Sequence, residues 1–277
     1  MKEKRLTHIL WWTVLLLLTV LFLLPIAIVL MNSFKGQFHI ADAPFVPPTA
    51  ATFAGFSNYL NGIRKIGFFK AAGLSLFITV FSVVLIVLCT SMTAWFLVRN
   101  KNKLSSALYY LFVFSMIVPF QMVMFTMSKV ANSLHLENPV GIVLLYLGFG
   151  AGLSVFMFAG FVRGIPRAVE EAAEIDGCTP VTTFFRIIFP LLKPISVTVA
   201  VLNAMWIWND YLLPYLVIGS KYRTIPVAVQ YLQGGYGSRD MGALMAMLVL
   251  AIIPIIIFYA VAQKSIIKGV IAGAVKG

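Results

Sequence analysis

About six long apolar runs alternate with shorter polar segments along the chain, at residues 9–30, 72–98, 107–127, 140–162, 195–218 and 241–262. Each is close to or longer than the ~20 residues a helix needs to cross ~30 Å of hydrocarbon. The pattern predicts an all-α polytopic membrane protein, a helical bundle of about six transmembrane helices. The first run follows Lys2, Lys4 and Arg5 and opens on Trp11 and Trp12. Basic residues followed by interfacial tryptophan mark the cytoplasmic start of a span. A cleaved signal peptide is the competing reading. The run exceeds a signal's apolar core, and no small-residue cleavage site follows Leu30.

The polar segments differ in character. Residues 32–71 form a long connection containing Pro44, Pro47, Pro48 and Gly55, within which 56–60 predicts a short interfacial helix. Arg99, Lys101 and Lys103 make a basic turn after the second run. The most distinctive polar island, 163–194, holds Glu170, Glu171, Glu174 and Asp176, four of the nine acidic residues. It reads as helix, turn, helix. Pro166 suits a first helical turn, where its missing N–H costs nothing. Gly177 suits a position past a helix end that needs positive φ. Thr179 and Pro180 read as the N-cap and first residue of a second short helix, which Pro190 and Pro194 close. The expected product is a rigid two-helix knuckle projecting from the membrane and shaped to dock on another protein.

Orientation follows from charge. If both ends and the knuckle face the cytoplasm, that side receives Lys2, Lys4, Arg5, Arg99, Lys101, Lys103, Arg163, Arg167, Arg186, Lys193, Lys264, Lys268 and Lys276. This is the majority of the basic residues, as the positive-inside rule requires. The net charge of +12 is thereby a matter of membrane topology. The basic residues flank apolar runs and do not form a face with interleaved aromatics, so nucleic-acid binding is not expected. Only 11% of residues are charged, against ~25% in soluble domains, and 61% are hydrophobic. Cys89 and Cys178 have neither disulfide nor metal-ligand spacing.

Two further places carry polar chemistry at membrane depth. The third run contains Pro119, a kink, and Gln121, a polar group inside the lipid. The fifth contains Asn203, Trp206, Asn209 and Asp210. Asn203, Trp206 and Asp210 are spaced i, i+3, i+7 and share a helix face. Tryptophan rings stack on sugar C–H faces, and amides and carboxylates bond hydroxyls, so these residues are candidates for a pathway lining. The alternative is that they lock the helix to its neighbours or to a partner subunit, with Asp210 near the outer interface. Pro214 is expected to kink or end the helix beyond them. In the loop 219–240, Gly234, Gly235, Tyr236 and Gly237 allow close backbone approach but lack the phosphate-binding G-x-x-x-x-G-K-[ST] pattern.

The knuckle resembles a known element. Glu171-Ala172-Ala173, Gly177 after three residues, and Ile187 and Pro190 further on look like the EAA loop of ABC importer permeases, with Phe189 where the family usually has Leu. Trp208-Asn209-Asp210, Thr224-Ile225-Pro226-Val227 and the terminal Gly-Ala-Val-Lys-Gly extend the resemblance to the carbohydrate-importer, MalG-type branch over nearly the whole chain. The resemblance implies a single permease domain: N-terminal helix 9–30, core helices 72–262 and coupling loop 163–194. In that family the loop seats in a cleft of the ATPase subunit, which assigns Glu171, Ala172, Ala173, Asp176, Gly177 and Pro190 to coupling. Glu171 would cap or pair, the alanines would permit close approach, and Gly177 would make the turn. Gly234–Gly237 would contact the extracytoplasmic solute-binding protein. The implied partners are a homologous second permease, two ATPase subunits carrying ATP and Mg, the binding protein, membrane lipid and a sugar.

No catalytic constellation emerges. His8, His39 and His135 are scattered, no nucleotide-binding motif is present, and the acidic knuckle lacks the Glu-x-x-His pairs of a di-metal site. Its acidic side chains are expected to meet solvent and basic groups of a partner. The chain thus reads as a non-enzymatic transport subunit that binds no cofactor or metal of its own. The other readings are a permease for another binding-protein-delivered solute such as glycerol phosphate, a secondary transporter or an intramembrane enzyme. No inverted internal repeat is evident in support of a secondary transporter.

Overall fold

In the computed structural model, which describes residues 2–219, 221–233 and 240–274, α1 spans Lys2–Asn32. From Ile9 to Leu24 almost every large side chain is exposed, with Trp11, Trp12 and Phe22 at 63%, 71% and 75%. A helix apolar on all sides and left uncovered by the described residues belongs in lipid. At 1.5 Å per residue, its His8–Asn32 stretch is about 37 Å long, enough to cross. Phe68–Arg99 (α4), Pro139–Val162 (α7) and the Met241–Gln263 part of α14 (Met241–Ala274) are also long and apolar enough. Two bent pairs complete the set and bring the total from 4 to as many as 6 spans. The described residues contain no β-strand, only an isolated bridge between Lys35 and Phe53.

The bent pairs correct two expected runs. The third is two helices, α5 (Lys103–Ser115) and α6 (Phe120–Ser133), meeting at 107°. Pro119 is extended, at φ −63° and ψ 136°, and caps α6. Its ring disfavours the helical region for the residue before it and removes a donor, so the chain turns where a mere kink was expected. The fifth run ends at Asn209, well short of 218. Asp210 leaves the helix at ψ 127°, and its Oδ1 accepts the Leu212 N–H at 3.0 Å, which starts the separate α12 (Leu212–Val217). The break therefore lies at Asp210, and Pro214 sits in the first turn of α12, where the missing N–H is harmless.

The chain separates into two compact units. The first comprises residues 1–70 and 228–254. It includes α2 (Gln37–Asp42) and α3 (Ser57–Ile66), the latter extending the expected short helix at 56–60. Buried Asn58 organises it, its amide donating to the carbonyls of Ser33 and Lys35 at 2.8 Å each. Lys35, 2% exposed, donates from Nζ to Ala43 O at 2.7 Å. Phe34 rests against the rings of Phe53, Phe56 and Tyr59. A Cβ on Gly242 would stand 2.5 Å from Asn58 Oδ1, so only glycine lets α14 pass. Lys65 forms an ion pair with Asp240. Burial alone would raise the Asp240 carboxyl. The Lys65 hydrogen bond, the Ala243 N–H and the Lys65 charge outweigh it and hold the group below its ordinary value.

The second unit comprises residues 71–227 and 255–277. Its core gathers Ile86 from α4, Tyr146 and Phe158 from α7, and Ile188, Leu192 and Val199 around α11 (Lys193–Asn209). α7 packs on both α5 and α11. Close approach rests on small residues, as is usual between helices in lipid. A Cβ on Gly152 would meet Ser115 Oγ at 2.6 Å, and one on Gly150 would meet Ile86 Cδ1 at 2.6 Å.

Gly242→Ala should displace Asn58 and cost about 1–3 kcal/mol, from the lost hydrogen bonds and overpacking. Gly73→Ala, with nothing within 4 Å of the new methyl, should be neutral or stabilising in the same thermal melts. The lowered carboxyl of Asp240 contributes stability fully above its unfolded value of about 3.9 and loses it as pH falls through the folded value. The melting difference between the wild type and Asp240→Asn should therefore be complete at neutral pH and shrink below about pH 4.

Candidate functional site

The polar island folds into the expected two-arm knuckle. Its first arm is α8 (Ala168–Ile175). The turn that ends it is a Schellman motif: the Cys178 N–H reaches Ala173 O at 2.9 Å and the Gly177 N–H reaches Glu174 O at 3.0 Å, with Gly177 at φ 76°. Thr179 then caps α9 (Pro180–Thr183) by accepting the Thr182 N–H at 3.3 Å. Three prolines act differently from expectation. Pro166 precedes α8 and is not in its first turn. Pro190 and Pro194 do not close the second arm: they occupy the first turns of α10 (Phe189–Leu191) and α11, so the arm runs on into the span through a 77° bend. The Pro190 ring crowds the carbonyl four residues back, and the wider π turn at Phe184–Ile188 makes room for it.

What fixes the knuckle is Glu170. Its Oε1 accepts from Arg99 Nε at 2.7 Å and lies 2.6 Å from Arg99 Nη2, and its Oε2 accepts from Trp95 Nε1 at 3.1 Å. Both ionic side chains are nearly withdrawn from solvent, 14% and 12% exposed. Arg99 Nη2 also donates to Ile165 O, and Arg167 Nη2 returns a bond to Arg99 O, so backbone and side chains of the two segments are tied reciprocally. The Trp95 ring continues onto buried Phe184 of the second arm at 5.6 Å. The end of α4 thus grips both arms. This corrects the expectation that the acidic groups of the knuckle all face solvent or a partner, because Glu170 is spent within the chain.

The coupling candidates divide accordingly. Glu171, Ala172, Asp176, Gly177 and Pro190 are exposed, whereas Ala173 is 3% exposed and packs inward. Only Ala172 of the two alanines lies on an open face. Ile175, 87% exposed, and Val181, 63% exposed, give the tip an apolar surface that sequence reasoning passed over.

At the other end of α11 the structure brings Asn203, Trp206 and Asp210 onto the side that meets α7, with Asn203 buried, Asp210 half-buried and Trp206 exposed. Asn203 donates to Ser154 Oγ at 3.1 Å and to Val199 O. The Tyr146 hydroxyl donates to Asp210 Oδ2 at 2.9 Å, and its ring stands edge-on to Trp206 at 5.4 Å. α7 thus bonds Asn203 and Asp210 and touches the Trp206 ring, which remains 40% exposed. Asn209 is not among them: it is exposed and donates to Met205 O on its own helix. Gln121 is exposed on α6. Gly234, Gly235, Tyr236 and Gly237 lie outside the described residues. Sequence reasoning missed Glu170, Arg99, Trp95 and Tyr146 as a set. The one available signal was a charge next to the Glu171 motif and an Arg at a span end.

Fold and knuckle together define a multi-pass helical membrane component. Residues 86–272 match the family described as binding-protein-dependent transport system inner membrane component, and the chain belongs to that family. It is 40% identical over 94% of both chains to the probable starch degradation products transport system permease protein AmyC of Thermoanaerobacterium thermosulfurigenes. It is 34% identical over 99% of both chains to the multiple sugar-binding transport system permease protein MsmG of Streptococcus mutans. Among solved structures, a chain of a bacterial ABC transporter involved in alginate import superposes with a TM-score of 0.75, covering 95% of this chain and 98% of that one. At 21% identity, that likeness shows the fold.

Glu170→Ala should leave Arg99 charged, buried and unpaired, at a cost of about 3–5 kcal/mol. The purified variant should melt lower and expose the knuckle to trypsin, while Glu171→Ala should match the wild type in both measurements.

Proposed function

We propose that this chain is the transmembrane subunit of an ATP-driven importer that carries a sugar or oligosaccharide into the cytoplasm, with the knuckle transmitting the stroke of a separate ATPase. As one permease domain it pairs with a homologous second permease and two ATPase subunits that bind ATP and Mg. An extracytoplasmic binding protein delivers the solute. Both termini and the knuckle face the cytoplasm, in accord with the distribution of basic residues. The sugar class is supported by the names of the relatives, a starch degradation products permease and a multiple sugar-binding transport permease.

The observation that carries the coupling role is an exposed face on a rigid mount. Glu171, Ala172 and the apolar tip at Ile175 stand open, while Glu170 clamps the arm behind them to Arg99. A docking element must present surface without swinging, or the force delivered to it is lost in bending. ATP binding would draw the two ATPase subunits together, carry the seated knuckles with them and rock the spans open toward the binding protein. Hydrolysis would reset the spans.

The test is a side chain that cannot sit at φ 76°. Gly177→Val strains the turn between the arms by about 1–3 kcal/mol without touching the spans. Sugar uptake by cells carrying it should fall at least tenfold, with normal amounts of the chain in the membrane. A cysteine at Ile175 in the otherwise wild-type chain should cross-link to an ATPase subunit. Undiminished uptake by Gly177→Val, or labelling of the Ile175 cysteine from outside the cell, would defeat the proposal.

A further inference from the structure

A groove of about 1140 Å³ opens beside the knuckle, between the end of α4, the start of α5 and the end of α7. Its walls carry Arg99, Lys101, Lys103, Arg163 and Arg167, and the described lining residues include no carboxylate. Arg99 is neutralised by Glu170. Arg163 is held in place over the Tyr109 ring, 5.1 Å from its centroid, a contact that positions the guanidinium and leaves its charge uncompensated. Arg167 is fixed through one Nη to the Arg99 carbonyl, which likewise satisfies a donor without cancelling the charge. Lys101 and Lys103 are exposed. Four cations converging on one concavity repel one another, and no carboxylate among the described lining residues relieves them.

The groove is also amphiphilic. Along α5, Lys103, Ser106, Tyr110 and Phe114 fall at i, i+3, i+7 and i+11, on one stripe. The first three line the groove, and Tyr110 and Phe114 are 68% and 61% exposed. The stripe therefore passes from cationic to hydroxyl to bare aromatic as it leaves the helix start and enters the apolar length of a bent span pair. A small free anion would satisfy the cations and leave the aromatic stripe uncovered. An anionic phospholipid satisfies both, with its phosphodiester among Lys101, Lys103, Arg163 and Arg167 and an acyl chain along Tyr110 and Phe114. Basic pockets at the ends of membrane helices suit such headgroups.

We infer that this groove is a binding site for an anionic phospholipid of the bilayer, recognised by its phosphate. The lipid then sits where α4 grips the knuckle and screens the cations gathered around that grip. The assignment depends on the chain's being a membrane protein and is independent of any coupling to ATP.

The test is lipid retention by the full-length chain purified with the subunits that accompany it. Native mass spectrometry would follow detergent exchange in phosphatidylglycerol or phosphatidylcholine. The wild type should hold phosphatidylglycerol at least tenfold better than phosphatidylcholine. Lys101→Gln/Lys103→Gln should lose most of that preference while melting as the wild type does. Arg163→Gln, made separately, should weaken it in the same direction. Equal retention of the two lipids would overturn the inference, and so would unchanged preference in the double variant. Displacement of phosphatidylglycerol by millimolar inorganic phosphate would show a free-anion site and overturn the lipid assignment. Loss of an ATPase subunit from the double variant, with its lipid preference intact, would make the groove a protein contact.

Discussion

The Glu170 carboxylate accepts hydrogen bonds from Arg99 and Trp95 at the end of one membrane helix and pairs with the same guanidinium, and the working surface of the chain depends on that arrangement. Coulomb attraction in a site so little exposed is strong, yet so is the cost of taking both charges out of water, and such a pair adds little net stability over an apolar alternative. Its value is geometric. Arg99 presents a fixed fork, and one prong also holds Ile165 O, so the carboxylate is located in two directions at once. The indole N–H on the other oxygen sets the remaining orientation, and the indole ring reaches Phe184 in the second arm. A hydrophobic contact in this place would hold the arms close without fixing their angle.

The same preference for orientation recurs at the far end of α11. Tyr146 places its hydroxyl on Asp210 and its ring edge on Trp206, so one side chain of α7 fixes the helix just where its backbone leaves the helical path. The carboxylate there also holds the Leu212 N–H and starts the next helix. The second unit thus holds this stretch of chain in two places: the ring contact of Trp95 with Phe184 ahead of α10 and α11, and the Tyr146–Asp210 bond at the end of α11. Between them the packing is mainly apolar, with glycine allowing α7 to approach and Asn203 bonding Ser154. Loose greasy contacts let helices slide, and the locks define which slides are permitted.

Sequence pattern made four of the spans legible because each is long and uninterrupted, and the knuckle's turn legible because Gly177, Thr179 and Pro180 act locally. It failed where a local cue had two outcomes. Pro119 and Pro214 look alike in a hydropathy trace, but the first sits between helices and turns the chain by 107°, while the second rides harmlessly in a first turn. The chain leaves the helix at Asp210, ahead of Pro214, where the break was expected. The Arg99–Glu170 pair spans 71 positions, and nothing in a single sequence says which of four neighbouring acids turns inward. Glu171 is the more conspicuous residue, since the recognisable motif begins with it, yet it is the exposed one.

That inversion has a physical logic. A residue that meets a partner must stay open until the partner arrives, so it contributes nothing to the fold of its own chain. A residue that holds the mount must be satisfied internally. Adjacent positions on a short helix point about 100° apart, so Glu170 and Glu171 can serve the two needs from neighbouring places, one facing the span and one facing out. Ala173, two positions beyond Glu171, returns toward the chain and is buried, and Ile175 comes round again to the open side. Eight residues of helix therefore suffice to carry an inner face that fixes the arm and an outer face free to be engaged. This division lets the arm be held by its own chain while one face stays open.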